Sequence, residues 1–314
     1  MKVTILDGNA VNPGDLSWAE LEKLGSLTVY PRTAPGDVIA RIGDSEAVLL
    51  NKVNITEEIL TACPSLKYIG VQATGYNVID LEACRRHGVT VTNVPSYSTA
   101  GVAQLVFSFI SEWACHVQLH SDSVMAGDWI RSPDFVYWKK PLFEIEGKTL
   151  GIFGYGNIGS RVARIAAAYG MRVIVCTRTS KAEIAHPVDF DTLLKESDFI
   201  SLHAPLTDKT KEILNRDSLS RMKKGAYLIN TARGGLVNEG DVCAALESGQ
   251  LAGYAADVVL QEPMSPDCPL RKAPNCLLTP HIAWASVETR QRLLGIVIGN
   301  FKAWLDGQPV NVVS

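Results

Sequence analysis

The sequence lacks a basic excess. Its 30 Lys and Arg stand against 33 Asp and Glu for a formal net charge of -3, and the cations are spread along the 314 residues. Binding a nucleic-acid backbone or an anionic membrane surface requires concentrated positive charge, so neither is an expected partner. Paired cysteine motifs are missing too. The seven cysteines (Cys63, Cys84, Cys115, Cys176, Cys243, Cys268 and Cys276) form no C-x-x-C and, being odd in number, cannot all pair. A disulfide framework or a thiolate zinc site is therefore not expected, and a reducing cytoplasm suits the chain. No apolar run reaches the roughly 20 residues that a membrane helix needs. Met1-Lys2-Val3-Thr4-Ile5-Leu6-Asp7 reads as a strand ending in an acid, with no export signal. Internal repeats and low-complexity tracts are absent. What is present has the composition of a globular protein, too long for one ordinary core and suited to two domains.

From Met1 to about Asn93, short apolar or β-branched runs (Val3 to Leu6, Ala47 to Leu50, Tyr68 to Val71, Val89 to Val91) alternate with helical stretches at Thr56 to Ala62 and Asp80 to His87. Such alternation predicts a parallel sheet covered by helices, with Thr56 and Asp80 as helix starts. The loop Ala73-Thr74-Gly75-Tyr76-Asn77 follows a strand. Its backbone N–H groups then lie at a strand's carboxyl end, where α/β sheets bind ligands; a simple turn is the plainer reading. Thr99 to Met125 is apolar almost all round, which predicts one long helix, buried in the fold or against a second subunit. His116 and His120 fall on one face of it at i and i+4, yet no third ligand accompanies them, so no metal site is expected. Asp128 to Leu142 is irregular and carries Trp129, Phe135, Tyr137 and Trp138, the marks of a contact surface or an active-site wall.

A second βα series begins near Lys148, with predicted strands at Leu150 to Phe153, Arg172 to Cys176, Phe199 to Leu202, Tyr227 to Asn230, Gly253 to Asp257 and Cys276 to Thr279. An amphipathic helix, Val287 to Leu305, ends it. Between the first of these strands and a helix over Ile158 to Tyr169 stands Gly154-Tyr155-Gly156-Asn157-Ile158-Gly159. In that setting the first glycine permits the turn, the second lets the backbone approach a pyrophosphate, and the third lets helix pack on strand. The phosphates would rest on the helix N-terminus. A plain βα turn also uses glycine, so the motif by itself leaves both readings open.

Three residues past predicted strands have the chemistry to reduce a 2-oxo acid. Hydride transfer to such a ketone needs a cation for the carboxylate and carbonyl oxygens, a proton donor at that oxygen, and a partner for the donor. Arg233, in Thr231-Ala232-Arg233-Gly234-Gly235, offers a planar guanidinium. His281, in Thr279-Pro280-His281-Ile282-Ala283, offers the proton, and Glu262 of Gln261-Glu262-Pro263 offers a negative charge that would favour the imidazolium. Singly, each has a duller explanation: a surface ion pair, a hydrogen-bonded core histidine and a turn residue.

Taken together these stretches resemble one family. Gly154 to Gly159, His203-Ala204-Pro205-Leu206-Thr207, Asn230 to Gly235, Asp257-Val258 with Glu262-Pro263, and Pro280-His281-Ile282-Ala283-Trp284-Ala285-Ser286 are similar to the D-isomer-specific 2-hydroxyacid dehydrogenases, most of all to the glycerate dehydrogenase (hydroxypyruvate reductase) branch. The resemblance implies an α/β fold in which a Rossmann-type dinucleotide-binding domain, residues 99–283, is inserted into a flavodoxin-like substrate domain, residues 1–98 and 284–314. It implies Arg233 as substrate anchor, His281 as acid/base and Glu262 as its partner. Thr74 and Gly75 would bind the substrate carboxylate through backbone N–H groups. Ala232 and Asp257 would lie by the nicotinamide, Thr231 would be a further cofactor contact, and His203, Ala204 and Pro205 would line the cofactor cleft. A homodimer through the helix after Thr99 is implied as well, with Trp138 either reaching the neighbouring active site or simply packing in the interface. The activity implied is NAD(P)H-dependent reduction of hydroxypyruvate or glyoxylate to the D-2-hydroxy acid. A dehydrogenase for another D-2-hydroxy acid, such as phosphoglycerate or lactate, and a dinucleotide-sensing scaffold without turnover are the alternatives.

The chain departs from the family pattern in several places. Asn77 and Asn238 stand where Asp is frequent and Gln104 where Glu is usual, which bears on local hydrogen bonding. At the end of the second dinucleotide strand, Thr177 replaces the acid that holds the adenosine ribose 2'-hydroxyl. Arg178, Thr179, Ser180 and Lys181 could instead hold a 2'-phosphate, so NADP is favoured over NAD on charge complementarity. Alternatively Arg178 stacks on adenine or meets solvent, and NADH still binds.

Overall fold

The alternation of short apolar runs with helices becomes two parallel sheets. The computed structural model describes residues 1–178 and 185–314. By contacts the chain divides into two compact units, Met1–Ser98 with Trp284–Ser314, and Thr99–Ala283. The first holds strands β1 (Lys2–Ile5), β2 (Ser26–Val29), β3 (Ala47–Leu50), β4 (Tyr68–Val71) and β5 (Thr90–Thr92). All pair in parallel in the order β2-β1-β3-β4-β5, the flavodoxin-like arrangement.

Side-chain alternation along these strands sorts the core. Leu6, Val48, Leu50, Ile69 and Val71 pack on one face of the sheet. Val3, Ile5, Leu49 and Tyr68 pack on the other, against Leu293, Val297 and Phe301. Those last three belong to the helix Val287–Leu305, which starts at Ser286, whose hydroxyl accepts the Thr289 N–H at 3.3 Å. The C-terminal helix therefore closes the sheet begun by Met1. Asp80 caps its helix by accepting the Ala83 N–H at 2.9 Å. Thr56, also expected as a cap, makes no such bond: its helix Glu57–Ala62 begins without side-chain capping.

The second unit carries β6 (Thr149–Phe153), β7 (Arg172–Cys176), β8 (His186–Pro187), β9 (Phe199–Leu202), β10 (Ala226–Asn230), β11 (Leu251–Ala256) and β12 (Cys276–Leu278). They form one parallel sheet in the order β12-β11-β10-β9-β6-β7-β8. Counted from β6, the first strand of the unit, this is the 3-2-1-4-5-6 order of a Rossmann sheet with a seventh strand added. Two strands have no counterpart in the sequence reading, β2 and β8. Both lie at sheet edges, where Ser26–Val29 stays largely exposed and His186–Pro187 spans two residues, so neither has the buried apolar run that marks a strand.

The long helix expected over Thr99 to Met125 is broken. It runs from Thr99 to Cys115, His116 takes a left-handed conformation at φ +46°, and a second helix runs from Val117 to Met125. The first piece is buried through Val106, Phe107, Ile110 and Trp113 against the sheet and the helix Asn157–Ala168. In the second piece only Ser123 is buried. The single helical face expected to carry both histidines is lost with it. His120 Nδ1 donates to the His116 carbonyl at 2.7 Å while its Nε2 accepts the Lys139 N–H at 3.1 Å, so both ring nitrogens are engaged by the backbone. No helix among the described residues is long and apolar enough to cross a membrane.

Candidate active site

The glycine loop sits where the strand order of the second sheet reverses, since β6 pairs β7 on one side and β9 on the other. Crevices at such points, beyond the strands' carboxyl ends, are where α/β sheets bind ligands. Gly154 follows β6 at φ +95°, a conformation that favours glycine. A Cβ there would lie 2.8 Å from Ala204 N and from the His203 carbonyl carbon, so the loops after β6 and β9 meet backbone to backbone. On Gly159 a Cβ would fall 2.2 Å from the Gly154 oxygen, which brings the helix against the turn. Gly156 behaves otherwise, with no atom within 4 Å of a built Cβ. It caps the helix Asn157–Ala168, whose start has no side-chain cap and no acid in its first turn. A backbone approach to a positive helix end that no side chain fills fits a pyrophosphate, and these residues fit a dinucleotide.

The neighbouring loop supplies a neutral wall. His203 Nε2 lies 2.9 Å from Ser201 Oγ, and burial pushes its imidazole down to about 3, so the ring is uncharged at physiological pH. Ala204 is half-buried, and Pro205 is exposed with its carbonyl accepting from Thr210 Oγ1 at 2.7 Å. After β7, Thr177 is half-buried and Arg178 exposed. Thr179, with Ser180 and Lys181, lies outside the described residues.

The Arg233 turn is built by the residue that ends β10. Asn230 is fully buried, its Oδ1 accepts the Ala232 N–H at 3.1 Å and its Nδ2 donates to the Arg233 carbonyl at 2.9 Å. One amide thus brackets the turn and sends the Arg233 side chain outward past buried Thr231 and half-buried Ala232. Arg233 Nη1 donates to the Ala232 carbonyl at 2.7 Å, and among the described residues its other donors have no protein acceptor. A guanidinium with free forked donors is suited to a carboxylate. Behind it, a Cβ on Gly234 would stand 2.0 Å from the Val259 carbonyl carbon and 2.4 Å from Leu260 N. The turn therefore packs directly on the segment that leads to Glu262.

Glu262 and His281 are brought together as a hydrogen-bonded pair. Nδ1 of His281 lies 2.6 Å from Glu262 Oε2, and the side chains are 31% and 34% exposed, enough to reach a small molecule. An ionised carboxylate only accepts, so Nδ1 is the donor in this pair and Nε2 is turned away from Glu262. Glu262 Oε1 also accepts the Val259 N–H at 3.3 Å. His281 has φ +55°, and buried Asp257 holds its turn. The Asp257 carboxylate accepts from Thr279 Oγ1 at 2.6 Å and from the N–H groups of Ile282 and Ala283 at 2.8 Å each.

In the other unit, the loop after β4 presents free donors. Thr74 is exposed, its Oγ1 donates to the Val94 carbonyl at 2.8 Å, and Asn93 Nδ2 donates to the Thr74 carbonyl at 2.8 Å. Among the described residues the backbone N–H groups of Thr74 and Gly75 donate to no protein acceptor. Two adjacent free N–H groups on an anchored loop suit an anion.

Residues 107–283 match the model for "D-isomer specific 2-hydroxyacid dehydrogenase, NAD binding domain". The hydroxypyruvate reductase of Blautia hydrogenotrophica is 42% identical over 321 residues, covering 100% of both chains. The chain belongs to the D-isomer specific 2-hydroxyacid dehydrogenase family. The glycerate dehydrogenase of Methylorubrum extorquens is 39% identical over 89% of each chain. Among solved structures, an acyclic imino acid reductase in complex with NADPH and D-Arg superposes with a TM-score of 0.87 at 30% identity, over 100% of both chains. This dehydrogenase is accordingly an NAD(P)-dependent oxidoreductase that interconverts small 2-oxo acids and D-2-hydroxy acids.

Several residues of this 2-hydroxyacid dehydrogenase escape a sequence reading. Asn230, Glu239 and Thr279 act through bonds to backbone or to other side chains, and their residue types are too common to stand out. The Asn238 departure resolves locally: its Oδ1 accepts the Asp241 N–H at 3.1 Å, capping the helix Glu239–Glu247 as an Asp would.

Proposed function

We propose that the chain reduces hydroxypyruvate or glyoxylate to the D-2-hydroxy acid, with NADPH favoured over NADH. The observation that carries this reading is the 2.6 Å pairing of Glu262 with His281, on a segment whose backbone packs against the Arg233 turn. The nicotinamide ring, when bound, supplies the hydride. His281 Nε2 delivers the proton to the carbonyl oxygen, Arg233 grips carboxylate and carbonyl oxygens, and Thr74 and Gly75 receive the carboxylate on their N–H groups. Ala232, Thr231 and Asp257 lie by the nicotinamide; the Asp257 carboxylate keeps lone-pair capacity beyond its three protein donors for an amide N–H. Gly154, Gly156, Asn157, Ile158 and Gly159 hold the pyrophosphate, and His203, Ala204 and Pro205 wall the cleft. Residues 99–283 serve as the dinucleotide domain, and 1–98 with 284–314 as the substrate domain.

Thr177 and Arg178 support the NADPH preference, because a carboxylate that would repel a 2'-phosphate is missing and an exposed guanidinium is present. The test is a panel of 2-oxo acids run with both reduced nucleotides, read by loss of nucleotide absorbance. Turnover of hydroxypyruvate or glyoxylate is expected, and Arg178→Ala is expected to cut the NADPH preference about tenfold, the loss of one charge-assisted hydrogen bond. No turnover of either acid with either nucleotide would sink the reading.

The second-helix region supports a homodimer. Met125, Ile130 and Phe135 are 84%, 89% and 87% exposed, with Trp129 and Trp138 also open. The segment is nonetheless held in place. Lys139, Ser123 and Arg131 all bond Asp128 and keep its carboxyl well below the usual range. An ordered apolar surface of this size calls for a partner, and the family resemblance names a second copy. Sedimentation should find a dimer for the wild type and a monomer for Ile130→Glu with Phe135→Glu; a monomeric wild type would refute it.

A further inference from the structure

The Val259–Leu260 backbone is held by two carboxylates on consecutive N–H groups. Val259 N–H donates to Glu262 Oε1 at 3.3 Å, and Leu260 N–H donates to Glu239 Oε1 at 2.7 Å. The other Glu239 oxygen, Oε2, lies 3.6 Å from Cys268 Sγ, which places a thiol donor on it from beyond Glu262 in the chain. Glu239 therefore spans the ends of the segment that carries Glu262. It also opens the helix Glu239–Glu247, the first α-helix after the Arg233 turn, and Gly234 of that turn presses on the same Val259–Leu260 peptide. The Leu260 side chain is 63% exposed and brings no packing that could hold its backbone in place of this bond. Half-buried Glu239 touches none of the reacting groups proposed above.

We propose that Glu239 is a positioning residue for proton transfer, fixing the Leu260 backbone so that the Glu262 carboxylate meets His281 Nδ1. The effect is geometric. A hydrogen bond of 2.6 Å loses strength steeply with distance and angle, so a strap free to shift by a fraction of an ångström would loosen the pair while leaving nucleotide and carboxylate sites in place.

The kinetic half of the test rests on the proposed reductase reading; the spectroscopic half does not. The full chain is compared with Glu239→Ala, Glu239→Asp, Glu239→Gln and Glu262→Gln. The resonance of the His281 Nδ1 proton shared with Glu262 is followed by NMR, and kcat and KM are measured for hydroxypyruvate and NADPH. Glu239→Asp keeps the charge but withdraws the oxygen from Leu260 N, whereas Glu239→Gln keeps an oxygen there and drops the charge. Glu239→Ala and Glu239→Asp should move that resonance in the direction set by Glu262→Gln, with Glu239→Gln at the wild-type position. In turnover, Ala and Asp should lower kcat about tenfold with KM for both substrates within about twofold, and Gln should restore it. Should Glu239→Ala fail to fold, the Asp and Gln variants decide. A wild-type resonance in folded Glu239→Asp, or a shift in Gln and Ala but not Asp, overturns the proposal. Absence of turnover in the wild type defeats the reductase reading, while the NMR comparison still decides the role of Glu239.

Discussion

Arg233→Ala is expected to lower kcat/KM for hydroxypyruvate by about a thousandfold, the scale of losing a charged contact that strengthens as the carbonyl oxygen gains charge. The side chain has little else to do. Among the described residues its hydrogen bond runs to the carbonyl of the adjacent Ala232, and it is exposed, so truncation should leave the melting temperature nearly unchanged. The turn beneath it survives, because Asn230 holds the Ala232 N–H and the Arg233 carbonyl, both backbone groups that Ala retains. Arg233→Lys retains the charge but not the planar fork, and about a hundredfold loss is expected, with KM rising as well as kcat falling. Steady-state kinetics beside thermal melts check both. Unchanged kcat/KM in Arg233→Ala would remove it as the anchor.

What could be seen in advance follows the range of the interactions. The strands β6, β7, β9 and β10 and the glycine turn between β6 and its helix are specified by neighbours in sequence, and their positions were legible within a residue or two. Arg233, Glu262 and His281 were legible as chemical types past strand ends, and the family resemblance already paired Glu262 with His281; the 2.6 Å contact across 19 residues needed the fold to display it. The break at His116 was hidden because apolar residues continue through it at helical spacing, from Trp113 to Val117 and Leu119, and nothing local announces a left-handed residue. Glu239 was invisible for another reason. On the sequence it is an acid in the first turn of a helix, which the helix dipole explains by itself, while its bond to Leu260 closes 21 residues away. Residues that touch substrate are betrayed by their type; residues that hold those residues are betrayed only by contact.

His281→Ala should lower kcat by about a thousandfold, since a positioned acid contributes on the order of 10² to 10⁴ to a proton transfer. The more telling comparison is with its partner. Glu262→Gln leaves an oxygen or an amide opposite Nδ1, so the ring can be held in either tautomer, and removes the negative charge 2.6 Å from it. About a hundredfold loss in kcat is expected, because nothing then fixes the ring in the tautomer that donates from Nε2. Combining the two changes should cost no more than His281→Ala alone: once the imidazole is gone, its orienting carboxylate has nothing left to orient. Independent losses that multiplied would mean that Glu262 acts on the substrate directly. Asp257 sets the control. Its three bonds reach Thr279, Ile282 and Ala283, on both sides of His281, so Asp257→Asn should disturb the left-handed turn and the proton donor together. The double change with His281→Ala then separates placement of the ring from any contact Asp257 makes with the nicotinamide, since only the second contribution survives loss of the histidine.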